Sequence, residues 1–135
     1  NALARSLSPE FIAYFDKSGT LVNLAGVRLE QNSFDEADSL LREAQNQSAA
    51  PNPSIIYNRA VVASRKGDDA SVVAILREYP GKWDSRAPVF LLVESLVQLQ
   101  KQKEAAAVLS EYLNLLTPEE QEKARHLIEE YQKRK

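Results

Sequence analysis

The chain has 135 residues, of which 44% are hydrophobic, and a formal net charge of −2 with both signs interspersed. This length is enough for one domain with a sizeable core, and the charge pattern lacks the basic footprint of a nucleic-acid-binding protein. No apolar run approaches the roughly 20 residues of a membrane span. With no cysteine, the chain has no disulfides, thiol catalysis or thiolate metal ligands, and its compartment stays open.

The first predicted element is a helix over residues 9–17. A Ser-Pro-Glu sequence at residues 8–10 is a good helix start, and Phe11 and Phe15 lie on one apolar face together with Ile12. Ser18-Gly19 is expected to end this helix. Residues 1–19 are interpreted as a leading helix packed on the unit that follows, or as the remnant of an upstream unit, because the chain opens on Asn1-Ala2 without a methionine.

Apolar periodicity and turn residues together predict an all-α chain of seven or eight antiparallel helices without a β-sheet. Asn32-Ser33 and Gly67-Asp68 are turn formers within pairs of helices, whereas the proline-containing segments 50–53 and 79–82 separate successive pairs. The predicted ranges are 9–17, 20–31, 34–48, 53–66, 69–79, 86–100, 102–115 and 118–133.

Three stretches of the chain fall into one register. A small or branched residue lies near the start of the second half of each unit, at Ala37, Val72 and Ala105. These three positions are nearly evenly spaced, at the period of about 34 residues that helix–turn–helix repeats have. Residues 21–25 and 34–37 form the clearest copy; the second copy has Arg59 where the first has Leu24, and the third lacks the glycine of the second.

This pattern resembles the tetratricopeptide repeat over residues 20–113. The resemblance implies a helix–turn–helix solenoid of three repeats, about 20–52, 53–84 and 85–115, which must stack to bury their apolar faces. Arg59 replaces the usual leucine of that repeat and Val72 the usual alanine; the arginine is expected to lay its stem on the core with its head in water. Trp83, between the second and third units, is expected to plug the space between them.

The last segment departs from the repeat. Thr117-Pro118-Glu119-Glu120 forms a capping box with proline at the first helical position, so residues 116–135 are predicted to form a C-terminal capping helix. Its apolar residues recur at helical intervals, at Ala124, Leu127, Ile128 and Tyr131. The alternative is a helix that docks a partner or dimerises, so a homo-oligomer stays open.

The residues that could carry chemistry all have a simpler structural interpretation. His126 is the only histidine and is expected to be a solvated surface residue. Asp35-Glu36, Asp68-Asp69 and Glu119-Glu120 lie at predicted helix starts, where carboxylates are electrostatically favoured. We therefore predict no catalytic, cofactor-binding or metal-ligating residue, and a protein that is not an enzyme.

The resemblance implies that the first helix of each pair lines a concave groove. Tyr57 and Phe90 are the expected anchors, because aromatic side chains carry much of the binding energy of interfaces; the alternative is that either ring packs between neighbouring repeats. The predicted partner-binding residues are Val22, Asn23, Glu30, Tyr57, Asn58, Val61, Arg65, Phe90, Glu94 and Gln98. Further groove-facing candidates are Gly26, Leu29, Ser64, Leu91 and Val97.

Some members of this family clamp acidic C-terminal tails with lysines, an arginine and asparagines. Here the corresponding first-copy positions are Val22 and Gly26, and only Asn23 and Asn58 match in part. The groove should instead prefer a protein or peptide segment with apolar anchors. We expect an adaptor, assembly factor or chaperone-like scaffold; the alternative is a regulatory or substrate-presenting fragment of a larger enzyme or secretion machine.

Overall fold

A computed structural model of the protein describes residues 17–133, so the predicted helix 9–17 lies, but for its last residue, outside the described residues. The described part contains seven α-helices and one short 3-10 turn, Leu113–Leu115, and no strand. The helices are α1 (Lys17–Glu30), α2 (Phe34–Asn46), α3 (Pro53–Arg65), α4 (Asp69–Leu76), α5 (Arg86–Gln98), α6 (Gln102–Glu111) and α7 (Pro118–Lys133). None of them is long and apolar enough to cross a membrane.

The predicted all-α class and the order of the helices from α1 to α7 are confirmed, with differences at the ends. Helix α1 runs through Ser18-Gly19, so the prediction that these residues end a helix is wrong. Glycine and serine carry their full helix-propensity cost in a helix interior, whereas here they lie in the first turn of the described helix. Helix α4 ends at Leu76 rather than 79: Arg77 and Glu78 form a turn, and Pro80 disfavours helical backbone at Tyr79.

One turn geometry joins the two helices of each of the three pairs. Asn32, Gly67 and Gln100 have φ angles of 60°, 78° and 61°, and they occupy equivalent positions of the repeat. In each turn the following N–H donates to a carbonyl five positions back, in the pattern of a Schellman motif. These bonds join Ser33 to Arg28 at 2.8 Å, Asp68 to Ala63 at 3.0 Å and Lys101 to Leu96 at 2.8 Å.

Burial repeats with the same period. The fourth residue of each second helix is fully buried, at Ala37, Val72 and Ala105. The facing position of each first helix is also buried, at Ala25, Ala60 and Val93, as is the position one turn further along each second helix, at Leu41, Leu76 and Leu109. Small residues at the crossing allow each pair of helices to approach closely.

Each helix packs against the next along the chain, and α7 packs on both α5 and α6. The buried residues form two clusters, one between α1, α2 and α3 and a larger one that extends from α3 to α7. Trp83 lies in the larger cluster and is only 7% exposed, so it is a core residue, as predicted. Ala124 and Ile128 of α7 complete that cluster.

The capping box that begins α7 is confirmed. The Thr117 N–H donates to Glu120 Oε1 at 2.9 Å, and the Glu120 N–H donates to Thr117 Oγ1 at 3.2 Å. The backbone hydrogen bond to Thr117 lowers the pKa of Glu120. This reciprocal pair fixes the start of the helix.

Replacing Gln100 by glycine should stabilise the protein by about 1 kcal/mol, because a positive φ strains any residue with a Cβ and glycine removes that strain. The reciprocal change at the equivalent turn, Gly67→Gln, should be destabilising by a similar amount, since its Cβ would meet nothing within 4 Å and only the backbone is strained. Urea denaturation of both variants measures the two effects, and equal signs would contradict the equivalence of the turns.

Candidate functional site: the first-helix face

The predicted partner-binding residues lie at four equivalent positions of α1, α3 and α5, three of which form rows along the helices and the fourth of which carries Asn23 and Asn58; we call the surface they form the first-helix face. Its first row consists of Val22, Tyr57 and Phe90, which are all half-buried. Tyr57 and Phe90 pack against the larger core cluster, and Val22 packs against the smaller one. Each ring therefore has one part in the core and one part exposed, which combines the two alternatives that the sequence leaves open.

The two other rows are more exposed. In the second row Gly26 and Glu94 are exposed and Val61 is half-buried; in the third row Glu30, Arg65 and Gln98 are all exposed. Asn23 is exposed, whereas the half-buried Asn58 donates a side-chain hydrogen bond to the Ser54 carbonyl of its own helix, at 2.8 Å. An apolar row thus runs beside a polar edge along these helices.

Among the additional candidates, Val97 is wrongly predicted. It is fully buried, whereas the equivalent Leu29 and Ser64 are half-buried and so is Leu91. Helix α5 packs against α4, α6 and α7, whereas among the described helices α1 packs against α2 and, over a smaller contact, α3. This additional packing covers Val97, and a pattern taken from the first repeat cannot predict it.

The charged side chains of the first-helix face lie outside the ion pairs of the described residues, as do some charged residues elsewhere, such as Glu43 and Lys103. Within the part of the chain that the structure describes, Glu30, Arg65, Glu94 and Lys123 of α7 make no ion pair within 4.0 Å. Ion pairs between different helices or connections lie elsewhere. They are Arg28–Glu36, Arg59–Glu78, Lys66–Asp35, Arg77–Glu104, Lys82–Glu111 and Arg86–Glu120.

Phe90, Glu94 and Lys123 come together where α5 meets α7. The Lys123 ammonium lies over the ring of Phe90, with Nζ 5.6 Å from the ring centroid. Although Glu94 is exposed as a whole, the surrounding protein partly desolvates its carboxylate, and this raises the pKa of Glu94. The positive charge of Lys123 partly offsets the rise, and the Asp69 carboxylate adds to it. Sequence patterns did not select Lys123, because only the packing of α7 on α5 brings it to this face.

The head of Arg59 was expected to extend into water. Instead, its side chain joins α3 to α2 and to the turn that follows α4. Its side chain is 12% exposed, and Nη1 donates to Gln45 Oε1 at 2.9 Å and to Glu78 Oε1 at 3.3 Å. Its Nε is buried without a hydrogen-bond partner. The equivalent positions carry Leu24 and Leu92, so a cation here occupies a place that the other two pairs fill with leucine.

Replacing Arg59 by leucine should leave the free energy of unfolding unchanged or raise it by roughly 1 kcal/mol, because a hydrophobic residue of similar volume often matches or exceeds an imperfectly satisfied buried charge. Removing the stem as well, in Arg59→Ala, should be destabilising because the side chain packs in the interior. Chemical denaturation compares the two, and a leucine variant as unstable as the alanine variant would show that the arginine's hydrogen bonds outweigh its desolvation.

The residues considered for chemistry behave as helix caps or as surface residues. Asp68 caps α4 by accepting from the Ser71 hydroxyl at 2.6 Å and from its N–H at 3.1 Å, and these bonds lower the pKa of Asp68. His126 is exposed, with Nε2 3.5 Å from Glu130. No group of three or more His, Cys, Asp or Glu side chains that could hold a metal occurs among residues 17–133.

The sequence matches no protein-family model, and neither the curated proteins nor the solved structures include a match to this chain.

Proposed function

We propose that the protein is a helical-repeat binding module of the tetratricopeptide type, in which the three helix pairs stack as a solenoid and the first-helix face binds a segment of a partner protein. The repeat assignment is supported by the shared turn geometry, the repeated burial pattern and their even spacing along the chain. The role is one of recognition rather than catalysis: an adaptor, assembly factor or chaperone-like scaffold.

The observation that carries the proposal is the half-buried row of Val22, Tyr57 and Phe90. Rings that are anchored in the core and exposed at one side present rigid apolar surface, which binds at little cost in side-chain entropy. The three residues recur at the same place in the first helix of each pair. A partner segment with regularly spaced apolar side chains fits such a row.

Unpaired charges beside this row support the same surface. Glu30, Arg65 and Glu94 form no ion pair within the described residues, so their charges stay available to a partner. Charged groups at the rim of an interface contribute orientation and rate of association more than affinity. The apolar row is therefore the proposed source of affinity, and the charged edge the source of selectivity.

Tyr57→Ala and Phe90→Ala should each weaken binding of a partner isolated with the intact protein by about 1–3 kcal/mol, the usual cost of truncating an aromatic anchor. Calorimetric titration of purified partner measures the loss. The control is Arg77→Ala, an exposed residue in the turn after α4 and outside the first-helix face, and this variant should bind as the parent does. Equal binding by all three variants would place the binding surface elsewhere, and circular dichroism checks that the two truncations keep the fold.

A further inference from the structure

Phe90 and Glu94 lie one helical turn apart on α5, so their side chains share one face of the helix. The Phe90 ring already attracts a cation, since the Lys123 ammonium lies 5.6 Å from its centroid. An aromatic face within about 6 Å of a cation is electrostatically favourable, and more so when water is partly excluded. The half-buried position of Phe90 provides that exclusion on one side of the ring.

Glu94 adds a carboxylate whose charge is only partly compensated. It forms no ion pair within the described residues, and burial raises its pKa. The charged groups that face it from the neighbouring helices are Lys123 of α7, which favours its charged form, and Asp69 of α4, which disfavours it. A further cation placed beside Glu94 would relieve this imbalance.

Lys123 is exposed and forms no ion pair within the described residues, and its long stem lets the ammonium move away from the ring into water. It acts as the protein's own occupant of the ring face when no partner is bound. A guanidinium group suits the same place better, because its planar face stacks on an aromatic ring while its N–H groups donate in a fork to a carboxylate.

We infer that Phe90, Glu94 and Lys123 form a subsite for a basic side chain of the partner segment, best filled by arginine, which displaces Lys123 from the ring. The inference rests on the proposed function for the partner and adds its chemistry: apolar residues for the row of Val22 and Tyr57, and an arginine for the end of the face at α5. Such a partner is opposite in charge to the acidic tails that a carboxylate clamp would hold.

The test uses a probe small enough to need no partner. N-acetyl-arginine methylamide is titrated into the isotope-labelled protein, and its neutral isostere N-acetyl-citrulline methylamide serves as the control ligand. The arginine probe should shift the backbone amide signals of residues 90–94 and 120–124 by nuclear magnetic resonance, and the citrulline probe should not. Equal shifts with both probes, or shifts confined to other residues, would overturn the subsite.

Two variants make the test specific to the geometry. Glu94→Gln should weaken the arginine probe by about two- to fivefold, as expected for one partly exposed charge pair. Lys123→Ala should instead strengthen it, because the internal competitor is gone. Glu43→Gln makes the same change of charge at an exposed position of α2, outside the first-helix face, and should leave the affinity unchanged. An unaltered affinity in Glu94→Gln, or a weaker one in Lys123→Ala, would overturn the inference.

The outcome is separable from that of the proposed function. If the arginine probe binds as described while Tyr57→Ala and Phe90→Ala bind the isolated partner normally, the arginine site stands but is not used by that partner, and the proposed partner surface is wrong. If those two variants lose the partner while the probe ignores Glu94, the surface stands and the arginine subsite is wrong.

Discussion

Replacing Trp83 by alanine should destabilise the protein by about 3–5 kcal/mol, the cost of removing a large aromatic side chain from a core. Trp83 is 7% exposed, and its ring centroid lies 4.6 Å from that of Tyr79. It lies in the connection between α4 and α5, where its loss would leave a cavity between two helix pairs. Urea denaturation followed by circular dichroism measures the change, because the variant lacks the chain's only tryptophan.

A milder change nearby separates the packing of the ring from the hydrogen bond beside it. The backbone N–H of Trp83 donates to the Tyr112 hydroxyl at 3.2 Å, so Tyr112→Phe removes that bond and keeps both the indole and the phenyl ring. It should cost about 1 kcal/mol. A Trp83→Ala variant that loses no more than Tyr112→Phe would show that the indole does not join the two pairs.

Replacing Ala37 by leucine should destabilise the protein by about 1–3 kcal/mol, because the added methylenes overpack a close helix crossing. Ala37 is fully buried in the cluster that α1 and α2 share, with Ala25 and Leu41 beside it. Thermal unfolding and urea denaturation both report the loss.

The control for this change is Ala106→Leu. Ala106 follows the equivalent Ala105 in the third pair but is exposed on α6, so the same substitution there should stay within about 0.5 kcal/mol of the parent. If Ala37→Leu were as stable as Ala106→Leu, the close crossing of α1 and α2 would be refuted.

Much of the fold could be predicted from the sequence because its signals are local. The capping box of residues 117–120 and the turn residues Asn32 and Gly67 act through their own backbone, and the small residues at 37 and 105 mark crossings through their spacing. Gln100 gives no such local signal, and its turn could be found only because it falls one repeat period after Gly67.

The remaining features depend on contacts between distant parts of the chain. Val97 is buried because α5 packs against α4, α6 and α7, and the hydrogen bonds of Arg59 need Gln45 and Glu78 from two other segments. Lys123 reaches Phe90, which is remote from it in sequence, only because α7 packs on α5. Spacing within one helix carries no information on such pairs, so the candidate site was predicted as a face but not as a set of contacts.

The measurement that tests the central proposal most directly is site-specific photo-cross-linking. A benzophenone amino acid is placed at position 57 on the first-helix face, or at position 74, an exposed alanine on the second helix of the same pair. If the first-helix face binds the partner segment, position 57 should cross-link to the isolated partner and position 74 should not. Cross-linking from position 74 alone would contradict the account and place the partner on the side of the second helices.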